Sequence, residues 1–252
     1  MSFDVAAEAY DRFMGRYSSL LSPQMADLAG ISEGQRVLDV GCGPGALTAE
    51  LVARLGAASV AAVDPSEPFV EAARTRFPGV DVRQAPAEQL PYGDDSFDAS
   101  VAQLVVHFMS DPVAGLAEMR RVTRPGGTIA ACVWDHAGGR GPLSVFWRAA
   151  SQLDPSAIDE SQLAGARRGH LGELFDGAGI RQVELSTLSA PLRHASFDEW
   201  WEPYTAGVGP AGAYVARLDP GRREELRERS RKLLPEPPFT LESIAWAARG
   251  SA

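Results

Sequence analysis

The chain holds 252 residues, 45% of them hydrophobic, enough to bury a sizeable core as one large domain with a small subdomain. Its formal charge of -9 and pI near 5.0 oppose binding that runs on a basic face and released counterions, so nucleic acid is not an expected partner. No stretch approaches the roughly 18 consecutive apolar residues of a membrane span, and "MSFDVAAEAYDRF" lacks the basic start and apolar run of a secretion signal, so no membrane partner is expected and the cytoplasm is the expected compartment.

In chain order, short β-rich runs alternate with helical patterns. "RVLDV" leads to a helix over 47–55 and "SVAAV" to one over 68–77; "VDVRQ" and "FDASVA" follow as strands, then a helix over 113–122 and the strand "GTIAACVW". Short runs buried on both faces, each followed by a helix that recrosses the sheet, predict an α/β fold with a doubly wound, mostly parallel sheet and helices on both faces. Ser66 with Pro68, and Asp111 with Pro112, read as caps with first-turn prolines, while "RPGG" at 124–127 stops a helix and turns into the next strand. The only cysteines, Cys42 and Cys132, fall in apparent sheet-core segments, which suggests neither a disulfide framework nor a metal site.

Beyond the core at 31–135 the rhythm loosens. Residues 136–169 read as an insertion with a helix over 143–153, and "HLGELFDGAGIRQVELSTL" within 170–195 returns to core helix and strand. Residues 196–236 combine an aromatic, glycine-rich stretch with the charged helix "PGRREELRERSRKLL" and are expected to lie on the substrate side as a lid. "FTLESIAWAARG" within 237–252 closes the sheet as a seventh strand.

"VLDVGCGPG" ends the first strand on an acid and turns through three glycines into the first helix. Ligands of such sheets bind at the carboxyl ends of the strands, where glycine lets the backbone approach closely. A Walker-type phosphate loop needs Gly-Lys-Ser/Thr, and "GCGPGALT" has no lysine. The dinucleotide fingerprint G-x-G-x-x-G fits less well, because the third glycine falls one residue early, and Asp39 beside a pyrophosphate costs electrostatic energy.

Taken with the acid of "AAVDPS", then "APAEQLPYGDDSFD" and "RVTRPGG", the loop resembles the class I S-adenosylmethionine-dependent methyltransferases in motif order and spacing. The resemblance is closest to the small-molecule branch that includes the ubiquinone/menaquinone C-methyltransferases. It implies a Rossmann-like seven-stranded sheet with helical insertions, S-adenosyl-L-methionine as methyl donor and S-adenosyl-L-homocysteine as product. It places Asp39, Gly41, Gly43 and Gly45 around the donor's methionine end and makes Asp64 the acceptor of the ribose hydroxyls. Pro65 and Ser66 would line the adenine side, Ala87 and Glu88 would border the base, and Gln103 with Leu104 would touch the methionine portion. Relatives often carry "GDAE" where this chain has "APAE", so Pro86 offers the adenine neither a side-chain acceptor nor a backbone N–H. Residues 1–30 resemble a helical flap, which makes Arg16 a candidate partner for the donor's carboxylate and Tyr10 and Tyr17 candidate lid aromatics.

Bland readings compete with several of these. Asp64 also suits a helix-capping acid, and Arg16 a solvated position on an amphipathic helix. No catalytic base is assigned; the candidates are His107, which "LVVHFM" also suits as a structural histidine, and Asp135 with His136, which equally suit a turn pair. The methyl acceptor is expected to be a small, partly apolar molecule bordered by Trp134, Phe146, Trp200, Trp201 and Tyr204, although the last three also fit core packing at helical spacing. Two rival functions are a non-catalytic cofactor-binding or regulatory protein and an NAD(P)-dependent oxidoreductase on the same sheet.

Overall fold

The structure, a computed structural model, describes residues 10–157 and 159–252. Residues 1–9, which carry much of the secretion-signal reading and open the expected 1–30 flap, lie outside the described residues. The described chain enters through a π-helical turn, Asp11–Gly15, and continues into α1 (Arg16–Leu28). There follow β1 (Val37–Val40), α2 (Ala46–Leu55), β2 (Val60–Asp64), α3 (Glu67–Arg76), β3 (Asp81–Gln84) and β4 (Phe97–Gln103). A 3-10 turn at Val106–Phe108 leads to α4 (Pro112–Val122), β5 (Thr123–Trp134), α5 (Ser144–Leu153), α6 (His170–Gly177) and β6 (Arg181–His194). The chain then makes α7 (Phe197–Trp201), a 3-10 turn at Glu202–Ala206, α8 (Gly209–Arg217), α9 (Pro220–Leu233) and β7 (Phe239–Ser251).

The seven strands form one sheet in the order β3-β2-β1-β4-β5-β7-β6. The first five pair in parallel, and β7 runs antiparallel to both β5 and β6. β1 and β2 are buried along their whole length, as strands covered on both faces must be. On one face α1 and α2 bring Leu21, Met25, Leu47 and Leu51 onto Val37, Val101 and Ala130. On the other, α4 and α6 bring Leu116, Met119, Leu171 and Phe175 onto Leu38, Ile129 and Val133. Each such large apolar side chain contributes about 1.5–3 kcal/mol by leaving water. The predicted cap at Asp111 is present, its carboxylate accepting the Ala114 N–H at 3.0 Å.

Residues from the two insertions make one cap. Phe146 and Trp147 of α5 cluster with Phe197, Trp200 and Trp201 of α7, with Tyr204, and with Val215 and Leu226 of α8 and α9; Phe13 of the entry turn joins them. Two local expectations change. β5 starts at Thr123, ahead of "RPGG", because Thr123 already pairs with Phe97 across a bulge. Cys42 belongs to the loop after β1 instead of a strand, since Gly41 turns the chain at a φ of 70°.

Candidate functional site

Order reversal at β1 leaves β2 and β4 running side by side with it, and their carboxyl ends open into a cleft of about 470 Å³. Its wall holds Asp39 of β1, Asp64 of β2, and Gln103 and Leu104 at the end of β4. Asp39 is buried and accepts the Thr48 Oγ1–H at 2.7 Å; desolvation pushes its carboxyl up to about 7, the Thr48 bond opposing and the nearby Asp64 adding to the rise. Asp64 accepts the Gly43 N–H through Oδ2 and the Ser66 N–H through Oδ1, both at 2.8 Å. Burial raises its pKa, and those two backbone donors pull it back. One acceptor position on each of its oxygens is still unused by these bonds.

The three glycines of the loop differ in what surrounds them. Gly43, at φ 54°, has nothing within 4 Å of where a Cβ would stand and lines the cleft. A Cβ on Gly41 would overlap Val105 Cγ1, and one on Gly45 would overlap Phe77 Cε2. Gly41 still lines the cleft, whereas Gly45 does not: it is the left-handed start of α2, cleared for Phe77.

Nine of the expected donor-side residues therefore converge: Tyr10, Asp39, Gly41, Gly43, Asp64, Pro65, Ser66, Gln103 and Leu104 all line the cleft. Five lie elsewhere. Arg16 turns outward to Glu199 at 2.6 Å, because α1 packs along β6 and its first turn meets the start of α7. Tyr17 is buried beneath, edge-on to Trp134 with ring centroids 6.1 Å apart. Ala87 packs toward Gly115 of α4, and Glu88 accepts the N–H groups of Ser110 and Asp111 at 2.6 and 3.1 Å, fastening the loop before α4. Gly45 is the fifth. The strand-three contribution comes instead from Gln84, whose Nε2 donates to the Pro65 carbonyl at 3.0 Å. Phe69 and Phe108 also line the cleft; position just past the acid of "DPSEPF" was the available signal for the first, and none marked the second.

Past Tyr10, Leu104 and Phe108, which border both spaces, a second and much smaller cavity of about 40 Å³ runs under the cap. Leu104 stands at φ 62°, a strained conformation for leucine, held by its N–H to the Cys132 carbonyl at 2.9 Å. His107, Trp134 and His136 line this cavity together with Glu160 and the backbone-rich start of α8. Burial holds His107 well below its ordinary pKa, with His136 beside it adding to the drop, and pushes His136 down to about 4 against the pull of Asp159 and Asp135. Glu160, which no sequence signal marked, accepts the Trp147 indole N–H at 2.9 Å and has its carboxyl raised by burial.

Asp135 is not in the cavity wall. Its carboxylate accepts Arg140 at 2.6 Å, the Gly138 N–H at 2.8 Å and the Trp246 indole at 3.0 Å, contacts that fit the turn role. Of the expected acceptor-side aromatics, Trp134 lines the cavity, while Phe146, Trp200, Trp201 and Tyr204 form the cap's interior, Phe146 stacked on Tyr204 with centroids 4.6 Å apart.

A methyltransferase-domain family model matches residues 38–131, the stretch that supplies most of the cleft wall. An uncharacterized protein of Mycobacterium tuberculosis is 33% identical over 213 residues, covering 79% of this chain and 77% of that protein. A demethylmenaquinone methyltransferase of Clavibacter sepedonicus is 36% identical over 141 residues, 52% of this chain and 55% of that protein, so the match spans about half the length of that relative. The solved structure of the YcgJ protein from Bacillus subtilis superposes with a TM-score of 0.59 at 19% identity, covering 91% of this chain and 97% of that one, which is a likeness of fold. The domain match lies on the strands that carry Asp39 and Asp64, and over residues 38–131 the chain belongs to the methyltransferase-domain family.

Proposed function

We propose that this protein transfers the methyl group of S-adenosyl-L-methionine to a small, partly apolar metabolite. The observation that carries this reading is the charge of the cleft: Asp39, Asp64 and Glu67 line it, with Asp11 paired to Arg76 at its edge, and no lysine or arginine lines it among the described residues. A compound with a sulfonium and an ammonium group fits such a wall, whereas a diphosphate is repelled by it, which disfavours an NAD(P) oxidoreductase. Two further features suit that ligand. Gln103 Oε1 is a buried acceptor with no partner among the described residues, and Gly43 leaves open the space that a side chain would fill.

When bound, the donor supplies a methyl group already activated by positive charge on sulfur. The chain's task is alignment and exclusion of water. Asp39 and Gln103 Oε1 would take the ammonium end, Asp64 the ribose hydroxyls through its unused acceptor positions, and Pro65, Ser66 and Phe69 the adenine side. Gln103 is itself fixed by its Nε2, which donates to the Ser18 carbonyl at 3.0 Å and to Ser22 Oγ at 3.2 Å, so α1 holds the β4 end in place. The acceptor would approach along the side of the cleft where Tyr10, Leu104 and Phe108 border the mostly apolar space beneath the cap.

Calorimetric titration with S-adenosylhomocysteine tests this directly: one-site binding is expected, and Asp64→Ala should weaken it by about 1–3 kcal/mol, a loss of roughly 5- to 150-fold. No heat of binding, or tighter binding of a dinucleotide, would sink the reading.

A further inference from the structure

At the end of β3 the cleft wall carries an acceptor whose orientation is fixed. β3 pairs with β2 so that Gln84 stands beside Asp64, one strand further from the order reversal, and both residues line the cleft. Gln84 is exposed, yet its amide is not free to turn over. Nε2 donates to the Pro65 carbonyl at 3.0 Å, and a carbonyl oxygen accepts only from a donor, so the two ends of the amide cannot exchange without losing that bond. Oε1 takes no hydrogen bond among the described residues and is the polar end left for a ligand. Resting on the methyltransferase reading above, we propose that Gln84 selects the base of the methyl donor: its Oε1 accepts from the exocyclic amino group of adenine and disfavours a 6-oxo purine.

The neighbouring backbone is already committed. Pro65 and Pro86 have no N–H to give. The Ala85 N–H goes to the Asp64 carbonyl at 3.1 Å, the Ser66 N–H goes to Asp64 Oδ1 at 2.8 Å, and the Pro86 carbonyl takes the Gln89 N–H at 3.2 Å. No residue of 85–102 lines the cleft: Ala87 packs toward Gly115, and Glu88 is tied to the N–H groups of Ser110 and Asp111. With proline at 86, where a side-chain acceptor is missing, the amide two residues earlier supplies one.

The surroundings suit a flat base. Pro65, Pro68 and Phe69 line the same cleft, so a purine finds apolar surface for its faces and a polar partner for its edge. The adenine amino group has hydrogens to give. A 6-oxo purine presents a carbonyl oxygen at that position, and two acceptors then oppose each other with no hydrogen between them. Glu67, at the start of α3, also lines the cleft and carries acceptor oxygens. It differs from Gln84 in being charged: a preference given by Glu67 would be screened by salt, whereas one given by a neutral amide would not.

Calorimetric titration of the full chain with S-adenosylhomocysteine and with S-inosylhomocysteine, its 6-oxo counterpart, tests this. The adenosyl compound is expected to bind at least about tenfold tighter, the value of one hydrogen bond set against two opposed acceptors, and the ratio should hold from about 0.05 to 0.5 M salt. Gln84→Met keeps the length of the side chain and removes the amide; it should bring the two affinities within about twofold of each other by weakening the adenosyl compound alone. A merely displaced Pro65 loop would weaken both compounds alike and keep the ratio. Glu67→Gln should leave the ratio unchanged. Equal affinities or the opposite preference in the wild-type chain, a ratio that survives in Gln84→Met, or one lost in Glu67→Gln or at high salt would overturn the proposal. Failure of the wild-type chain to bind either compound would instead remove the methyltransferase reading beneath it.

Discussion

The cleft and the cavity meet at three side chains, yet they are built on opposite plans. In the cleft the charged groups are already tied to backbone or to a neighbour: Asp64 holds two N–H groups and Asp39 a threonine hydroxyl. In the cavity the walls are mostly apolar, and ring nitrogens of His107, Trp134 and His136 have no hydrogen-bonding partner among the described residues. A site whose polar groups are held in place before the ligand arrives suits one fixed ligand. On the function proposed above, the contrast teaches that donor recognition is stored in the sheet, while acceptor recognition depends on segments far apart in sequence that the cap brings together.

The comparison can be broken most severely in the cap. Phe146→Ala removes a fully buried ring stacked on Tyr204, and a loss of about 3–5 kcal/mol in urea unfolding is expected. S-adenosylhomocysteine affinity should survive in whatever fraction stays folded; loss of affinity in step with stability would show that cleft and cap are one unit. Gly45→Ala comes next. It forces alanine to φ 103° and drives a Cβ into Phe77, so about 2–4 kcal/mol of destabilisation is expected from strain plus overpacking, whereas Gly43→Ala should cost about 1 kcal/mol of stability and act chiefly on ligand affinity. Equal stability losses at the two glycines would contradict the difference in their surroundings.

Proton linkage gives a smaller, sign-defined effect. Asp39 titrates near 7 in the folded protein against an ordinary value of 3.8. Its contribution to the stability of the free protein is therefore fully present below about pH 3.8 and is lost as pH rises through about 7. Binding of a cationic donor needs the carboxylate, so donor affinity should rise with pH up to about 7, by at most about tenfold per unit, and level off above it. Calorimetry in buffers of different ionisation heat should show a proton released on binding below pH 7; uptake would refute the assignment. The smallest effect belongs to Arg16→Ala, which breaks a half-exposed pair with Glu199 and should cost about 0–1 kcal/mol with no change in ligand affinity.

That last residue shows where sequence reading stops. The strand acids and loop glycines were legible because a strand end and the turn after it are local, and a parallel sheet brings such ends together. Asp39, Asp64 and Gln103 met as expected for that reason. Arg16, Ala87 and Glu88 were placed by likeness alone, and their destinations depend on which distant surface each loop packs against: β6 and α7 for Arg16, α4 for the other two. The aromatic residues of the cap read equally well as core or as wall. Only the long-range packing of α5 on α7 and α9 sends Trp200 and Tyr204 inward, and the same packing brings Glu160 to the cavity from a stretch without periodicity.

The strand order carries a consequence for how the molecule is made. β7 is the last of the described strands in the chain, yet it lies inside the sheet, and β6 pairs with nothing else. On a ribosome, five parallel strands can join and finish the cleft while β6 waits as an unpaired ribbon. β7 then acts as a keystone, so a nascent chain stalled before residues 239–251 emerge would hold the finished cleft beside an exposed strand edge, a form open to misassociation.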